Sequence, residues 1–152
     1  MRNTLLKIAF LSGLALTPVS AIAEAVISVE KPWARASIGT KRPSAAYMIL
    51  ENSGDTAVKL IGASSAVSGM TEIHKTEMDA NGVARMMPAG DIEILPGASV
   101  TLKKGGLHIM LMKLNTALIE GETVDVTLNF DDGSETTVTM PIKAMGATGH
   151  GH

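Results

Sequence analysis

Leu107-His108-Ile109-Met110-Leu111-Met112 alternates apolar residues with residues able to ligate a metal. As a strand it sends Leu107, Ile109 and Leu111 to one face and His108, Met110 and Met112 to the other. Alternate residues of a strand lie roughly 6.6 to 7 Å apart, a gap that an imidazole and a thioether on flexible stems can close onto one ion. The same pattern also suits a strand packed on both faces, because methionine fills irregular apolar space. Further residues of the same kind lie upstream: His74 precedes the turn Ala80-Asn81-Gly82, and Met86 and Met87 follow it.

Without cysteine, a soft metal ion would have to be held by methionine. The chain has ten methionines, nine of them after the initiator, and no cysteine. A disulfide, a thiol oxidoreductase, a zinc-thiolate site and a blue-copper centre are all excluded, since each needs a thiol. Basic residues are scattered and the aromatics are only Trp33, Tyr47, Phe10 and Phe130, so a nucleic-acid surface is not indicated. No glycine-rich phosphate loop is present.

The elements that must position these residues are short strands. Ala25 to Val29 reads as the first, broken by Lys31-Pro32; Ser44 to Leu50, Val58 to Ala63, Met70 to Glu77, Ile92 to Leu95 and Ser99 to Lys103 follow, separated by Asn, Gly, Asp and Pro clusters. Gly105-Gly106 frees the backbone just before His108. Val124, Val126, Leu128 and Phe130 alternate with polar residues, Asp131 to Ser134 turns, and Val138, Met140 and Ile142 alternate back, a hairpin with one buried face. With no long amphipathic helix in the pattern, the expectation is an all-β, antiparallel Greek-key sandwich or barrel. Trp33 is expected in its core, or as a ring near the metal site that would shield it from water and oxidant.

Turn length decides which methionine shares a face with His74. A two-residue Asn81-Gly82 turn pairs Ala80 with Val83 and selects Met87; a three-residue loop with Gly82 left-handed pairs Asp79 with Val83 and selects Met86. The sequence leaves both open.

Residues 1–23 have the three parts of a secretory signal: Arg2 and Lys7, the apolar run Ile8 to Leu16, and Ala21-Ile22-Ala23. Export to the periplasm is expected, with a domain over 24–145 and a flexible Gly/His tail over 146–152. The apolar run is shorter than the roughly 20 residues of a membrane span, no later segment approaches that length, and no cysteine is available for a lipid anchor. Loss of Arg2 and Lys7 takes the basic residues from 13 to 11 against 15 acidic ones. That balance favours solubility over binding to an anionic membrane.

The spacing His74, Lys75, ten residues, Met86, twenty-one residues, His108-Ile109-Met110 resembles that of the bacterial periplasmic copper chaperones of the PCu(A)C family. Trp33-Ala34-Arg35, Tyr47 with Leu50-Glu51-Asn52, Gly105 to Leu111 and Gly121 to Phe130 resemble that family's signature stretches, so the likeness covers nearly the whole mature chain. Lys75 stands where the family allows an optional further methionine. The resemblance implies a cupredoxin-like β-sandwich that is not an enzyme and binds Cu(I) through His74, Met86, His108 and Met110. It also implies delivery toward the dinuclear copper centre of cytochrome c oxidase, with the oxidase's copper-bearing subunit and a thioredoxin-like copper assembly protein as partners. Met145, His150 and His152 form a candidate secondary site suited to Cu(II). Met87 and Met112 read as neighbours or alternate ligands, and Met70, Met78 and Met140 as packing or surface.

A copper storage or resistance binder would use the same four ligands. A copper oxygenase with a histidine brace is disfavoured, because cleavage after Ala23 leaves Glu24 at the amino terminus.

Overall fold

A computed structural model describes residues 25–146. The signal segment expected over 1–23, Glu24, and His150 and His152 of the tail lie outside the described residues. Ten strands follow in chain order: β1 Ile27–Arg35, β2 Ser44–Asn52, β3 Val58–Ser64, β4 Ser68–Met78, β5 Ala84–Pro88, β6 Ile92–Ile94, β7 Ser99–Leu102, β8 Leu107–Leu114, β9 Thr123–Phe130 and β10 Glu135–Lys143. Among the described residues there is no helix, and so none long and apolar enough to cross a membrane.

The strands follow one open path, β5-β4-β8-β2-β1-β10-β9-β3-β6, with β7 also paired to β2. The path folds into two layers, with β3 of one packed against β4 of the other. Every strand contact along it is antiparallel except β1 with β10, where Ala34 pairs with Ile142. Chain neighbours β2 and β3 lie in different layers, so the order requires crossovers of the kind expected for a sandwich.

Alternation fills the space between the layers. Met48 and Leu50 of β2, Leu60 of β3, Ile73 of β4, Ile109 and Leu111 of β8, Val126 and Leu128 of β9, and Met140 and Ile142 of β10 form one core cluster. At its far end Asn52, fully buried, donates from Nδ2 to the carbonyls of Thr56 (2.8 Å) and Ile94 (3.1 Å). Its Oδ1 accepts from the N–H groups of Gly54 (3.0 Å) and Val26 (3.3 Å). All of the side chain's polar capacity is used, which is what a buried amide requires.

One departure from the expected pattern bears on function. Lys31-Pro32 does not end β1: the strand runs through it with a register shift between Glu30 and Trp33, and Lys31 takes φ 48°. A bulge removes Pro32, which has no N–H, from the ladder without stopping the strand. The extra residue also exchanges the two faces of β1. Ile27 and Val29 pack on the core before it, whereas Ala34 does so after it and Trp33 turns to the outer face beside Tyr47. Trp33 is buried, but in a second small cluster with Ala45, Tyr47 and Met110, with Met112 packed against it.

Candidate metal centre

The outer face of β4 and β8 gathers the ligand-capable residues. Ile73 pairs with Ile109 toward the core, so the neighbouring pairs, His74 with His108 and Glu72 with Met110, stand on the opposite side. The His74 and His108 ring centroids are 6.2 Å apart with planes inclined at 59°.

The β4–β5 turn settles the methionine question by its length. Asp79 N–H donates to the Val83 carbonyl (2.9 Å), Gly82 N–H donates to the Asp79 carbonyl (2.9 Å), and Gly82 has φ 76°. This is the three-residue loop with a left-handed glycine. The Asp79 carboxylate holds it together, accepting from Asn81 N–H (2.9 Å), Val83 N–H (3.0 Å) and Arg85 Nε (2.9 Å). The Val83 N–H, followed by the Arg85 guanidinium, lowers the Asp79 pKa below the ordinary aspartate value. Thr76 therefore pairs with Met86, and Lys75 with Met87. Met86 shares the face of His74 on the outermost strand of this layer and is 55% exposed, whereas Met87 faces the other way. Lys75 also points away from the site, its Nζ 2.5 Å from Glu77 Oε1.

Each imidazole is anchored by one nitrogen and open at the other. His74 Nε2–H donates to Glu72 Oε2 at 2.8 Å, and His108 Nδ1–H donates to the Gly106 carbonyl at 2.9 Å. His74 Nδ1 and His108 Nε2 are buried with no hydrogen-bond partner. A buried nitrogen without a partner costs roughly 1 to 3 kcal/mol. An anchored ring whose second nitrogen is bare and inward is the usual arrangement of a metal-binding histidine. His108 is 3% exposed, and burial, the largest cause, pulls its pKa below the ordinary histidine value despite the opposing Gly106 hydrogen bond. The ring therefore stays neutral and able to ligate. Among the described residues no group of three or more His, Cys, Asp or Glu side chains is gathered to hold a metal ion. The thioethers of Met110 and Met86 stand on the same face as the two imidazoles, and thioether ligands favour a soft ion.

Apolar rings wall the site. Met110 is 8% exposed and lies in the cluster with Trp33 and Tyr47, whose ring centroids are 4.6 Å apart, and the Tyr47 ring lies 6.4 Å from that of His108. Lys143 Nζ lies 5.9 Å from the Trp33 ring centroid, within cation–π range.

The structure thus brings His74, His108, Met110 and Met86 to one face. Met145 is exposed near the end of the described chain, and His150 and His152 lie outside it. Sequence reasoning missed Glu72 and the Gly106 carbonyl, although both stand two residues before the histidine they orient, the strand spacing that shares a face. Glu72 brings a carboxylate to the site through His74.

The chain is similar to known proteins in both sequence and fold. Residues 27–142 match the family described as "Putative lipoprotein LpqE-like". A protein of Leifsonia xyli subsp. xyli, "Putative lipoprotein Lxx21020", is 34% identical over 118 residues, covering 77% of this chain and 69% of its own. Among solved structures, the apo PCuAC domain from PmoF1 superposes with a TM-score of 0.66 at 26% identity, covering 78% of this chain and 93% of its own. CuI-DR1885 from Deinococcus radiodurans does so with a TM-score of 0.58 at 31% identity and 87% coverage of both chains. The all-β fold and its likeness to PCuAC domains define a PCu(A)C-type, cupredoxin-like domain. The chain belongs to the LpqE-like family.

Proposed function

We propose that the protein is a periplasmic copper chaperone that carries one Cu(I) ion on His74, Met86, His108 and Met110. The observation that carries this reading is the pair of partnerless buried nitrogens, His74 Nδ1 and His108 Nε2, on directly opposed residues of β4 and β8. Copper is cargo here, and the donor set suits that role. Two neutral imidazoles and two thioethers hold Cu(I) without a thiolate, and thioethers cannot be lost to disulfides in an oxidising compartment. Met86 on the outermost strand gives a recipient access, while Trp33 and Tyr47 keep water from the inner ligands.

The structural neighbours support copper carriage: one is an apo PCuAC domain and another is described as CuI-DR1885. Export rests on the signal-like residues 1–23 and on a family and a relative each described as "Putative lipoprotein". Delivery to the copper-bearing subunit of cytochrome c oxidase, alongside a thioredoxin-like assembly protein, rests on the family resemblance. The site calls for no catalytic acid or base.

Anaerobic Cu(I) titration against a competing chelator tests the proposal. One ion per chain, held tightly and lost in His108→Ala and in Met110→Ala, is the expected result. Binding that is absent, or unchanged by both substitutions, would refute it.

A further inference from the structure

The outer face of β4 and β8 carries more thioethers than the four-ligand site uses. Met70 pairs directly with Met112, one step along the ladder from Glu72 and Met110. Directly opposed residues of antiparallel strands have Cβ atoms roughly 4.5 to 5.5 Å apart, so these two side chains start within reach of a common ion. Met112 packs against the cluster that contains Met110, whereas Met70 is 36% exposed.

The backbone at this pair is closely fixed. Ser68 Oγ lies 2.7 Å from the carbonyls of both Met70 and Met112, joining the strands there. Lys113, the residue after Met112, adopts φ 51°, which disfavours a side-chain-bearing residue. Opposite it stands Gly69, where a Cβ would lie 3.3 Å from Lys113 Cβ and 3.4 Å from its carbonyl oxygen. A strained turn of the strand beside a half-exposed thioether pair is an unusual feature for mere surface.

We infer that Met70 and Met112, together with Met110, form a second, weaker Cu(I) position made of thioethers alone, adjoining the histidine site and sharing Met110 with it. Soft sulfur selects Cu(I) over harder ions, and without imidazole the position is weaker than its neighbour. An ion moving between the two keeps Met110 as a ligand throughout, so it is not released to water in transit. This inference rests on the proposed Cu(I) cargo and adds a second position for it on the way to or from solvent.

The test is anaerobic Cu(I) titration of the full chain with methyl-labelled methionine, followed by NMR of the methionine methyls and histidine rings. The first equivalent is expected to move His74, His108, Met86 and Met110, and the second Met70 and Met112. In the double variant Met70→Leu with Met112→Leu, which conserves apolar volume, the first response should persist and the second disappear. If the second equivalent leaves Met70 and Met112 unmoved, whether or not it moves Met145, His150 or His152, the second position is overturned and the primary site stands. If the first equivalent leaves His74 and His108 unmoved, the proposed cargo site fails and the inference falls with it.

Discussion

Glu72 accepts a hydrogen bond from His74 Nε2 at 2.8 Å and leaves Nδ1 of the same ring buried and partnerless, with the His108 ring centroid 6.2 Å away on the neighbouring strand. The carboxylate fixes both tautomer and ring orientation. Losing such an outer partner typically costs about 10- to 100-fold in metal affinity. Glu72→Gln should therefore weaken Cu(I) binding by about tenfold without changing the stoichiometry, as read by chelator competition. Unchanged affinity would show that His74 is oriented by something else.

The two adjacent methionines of β5 should behave differently. Met86 faces the histidines and Met87 faces away. Met86→Leu should weaken Cu(I) binding by about tenfold or more, about 1.4 kcal/mol, while Met87→Leu leaves it nearly unchanged. The reverse order would mean that the two-residue turn forms in solution.

Acid should act on stability through His108. Burial lowers its pKa in the folded protein, so between the folded and unfolded values the unfolded chain binds more protons. The stability due to the neutral ring is present above the ordinary histidine value, about 6.5, and is lost as pH falls through the folded value. Urea unfolding of the copper-free protein should show a falling midpoint below about pH 6.5, and His108→Gln should flatten that fall. An equally steep fall in the variant would assign it to other groups.

Trp33 should serve both packing and protection. Trp33→Ala removes the ring packed at a tilt against Tyr47 in the cluster that contains Met110. It should cost about 3 to 5 kcal/mol of stability and speed the oxidation of bound Cu(I) in air. Measured by denaturant unfolding and by the loss of chelatable Cu(I) with time, an unchanged oxidation rate would limit Trp33 to packing.

Much of this was legible in the chain because a strand's period is two: Leu107 to Met112 announced both a core face and a ligand face, and β8 has both. The His74–His108 register was not legible, since β4 and β8 are separated in sequence by β5, β6 and β7 and meet only through the sheet order. The choice between Met86 and Met87 depended on one residue of loop length, which Asp79 decides by gathering three donors. The face that Trp33 takes was not legible either, since it depends on the bulge at Lys31-Pro32, and a left-handed lysine leaves little local signal. Glu72 was overlooked because a carboxylate on an exposed strand is ordinarily a solvated one.

The most direct test of the account is X-ray absorption at the copper edge on the anaerobic complex with one equivalent of Cu(I). A mixed nearest shell of two nitrogen and two sulfur scatterers is expected, with a sulfur lost in Met110→Leu and a nitrogen lost in His108→Gln. A shell of nitrogen and oxygen alone, or one that neither substitution alters, would contradict it.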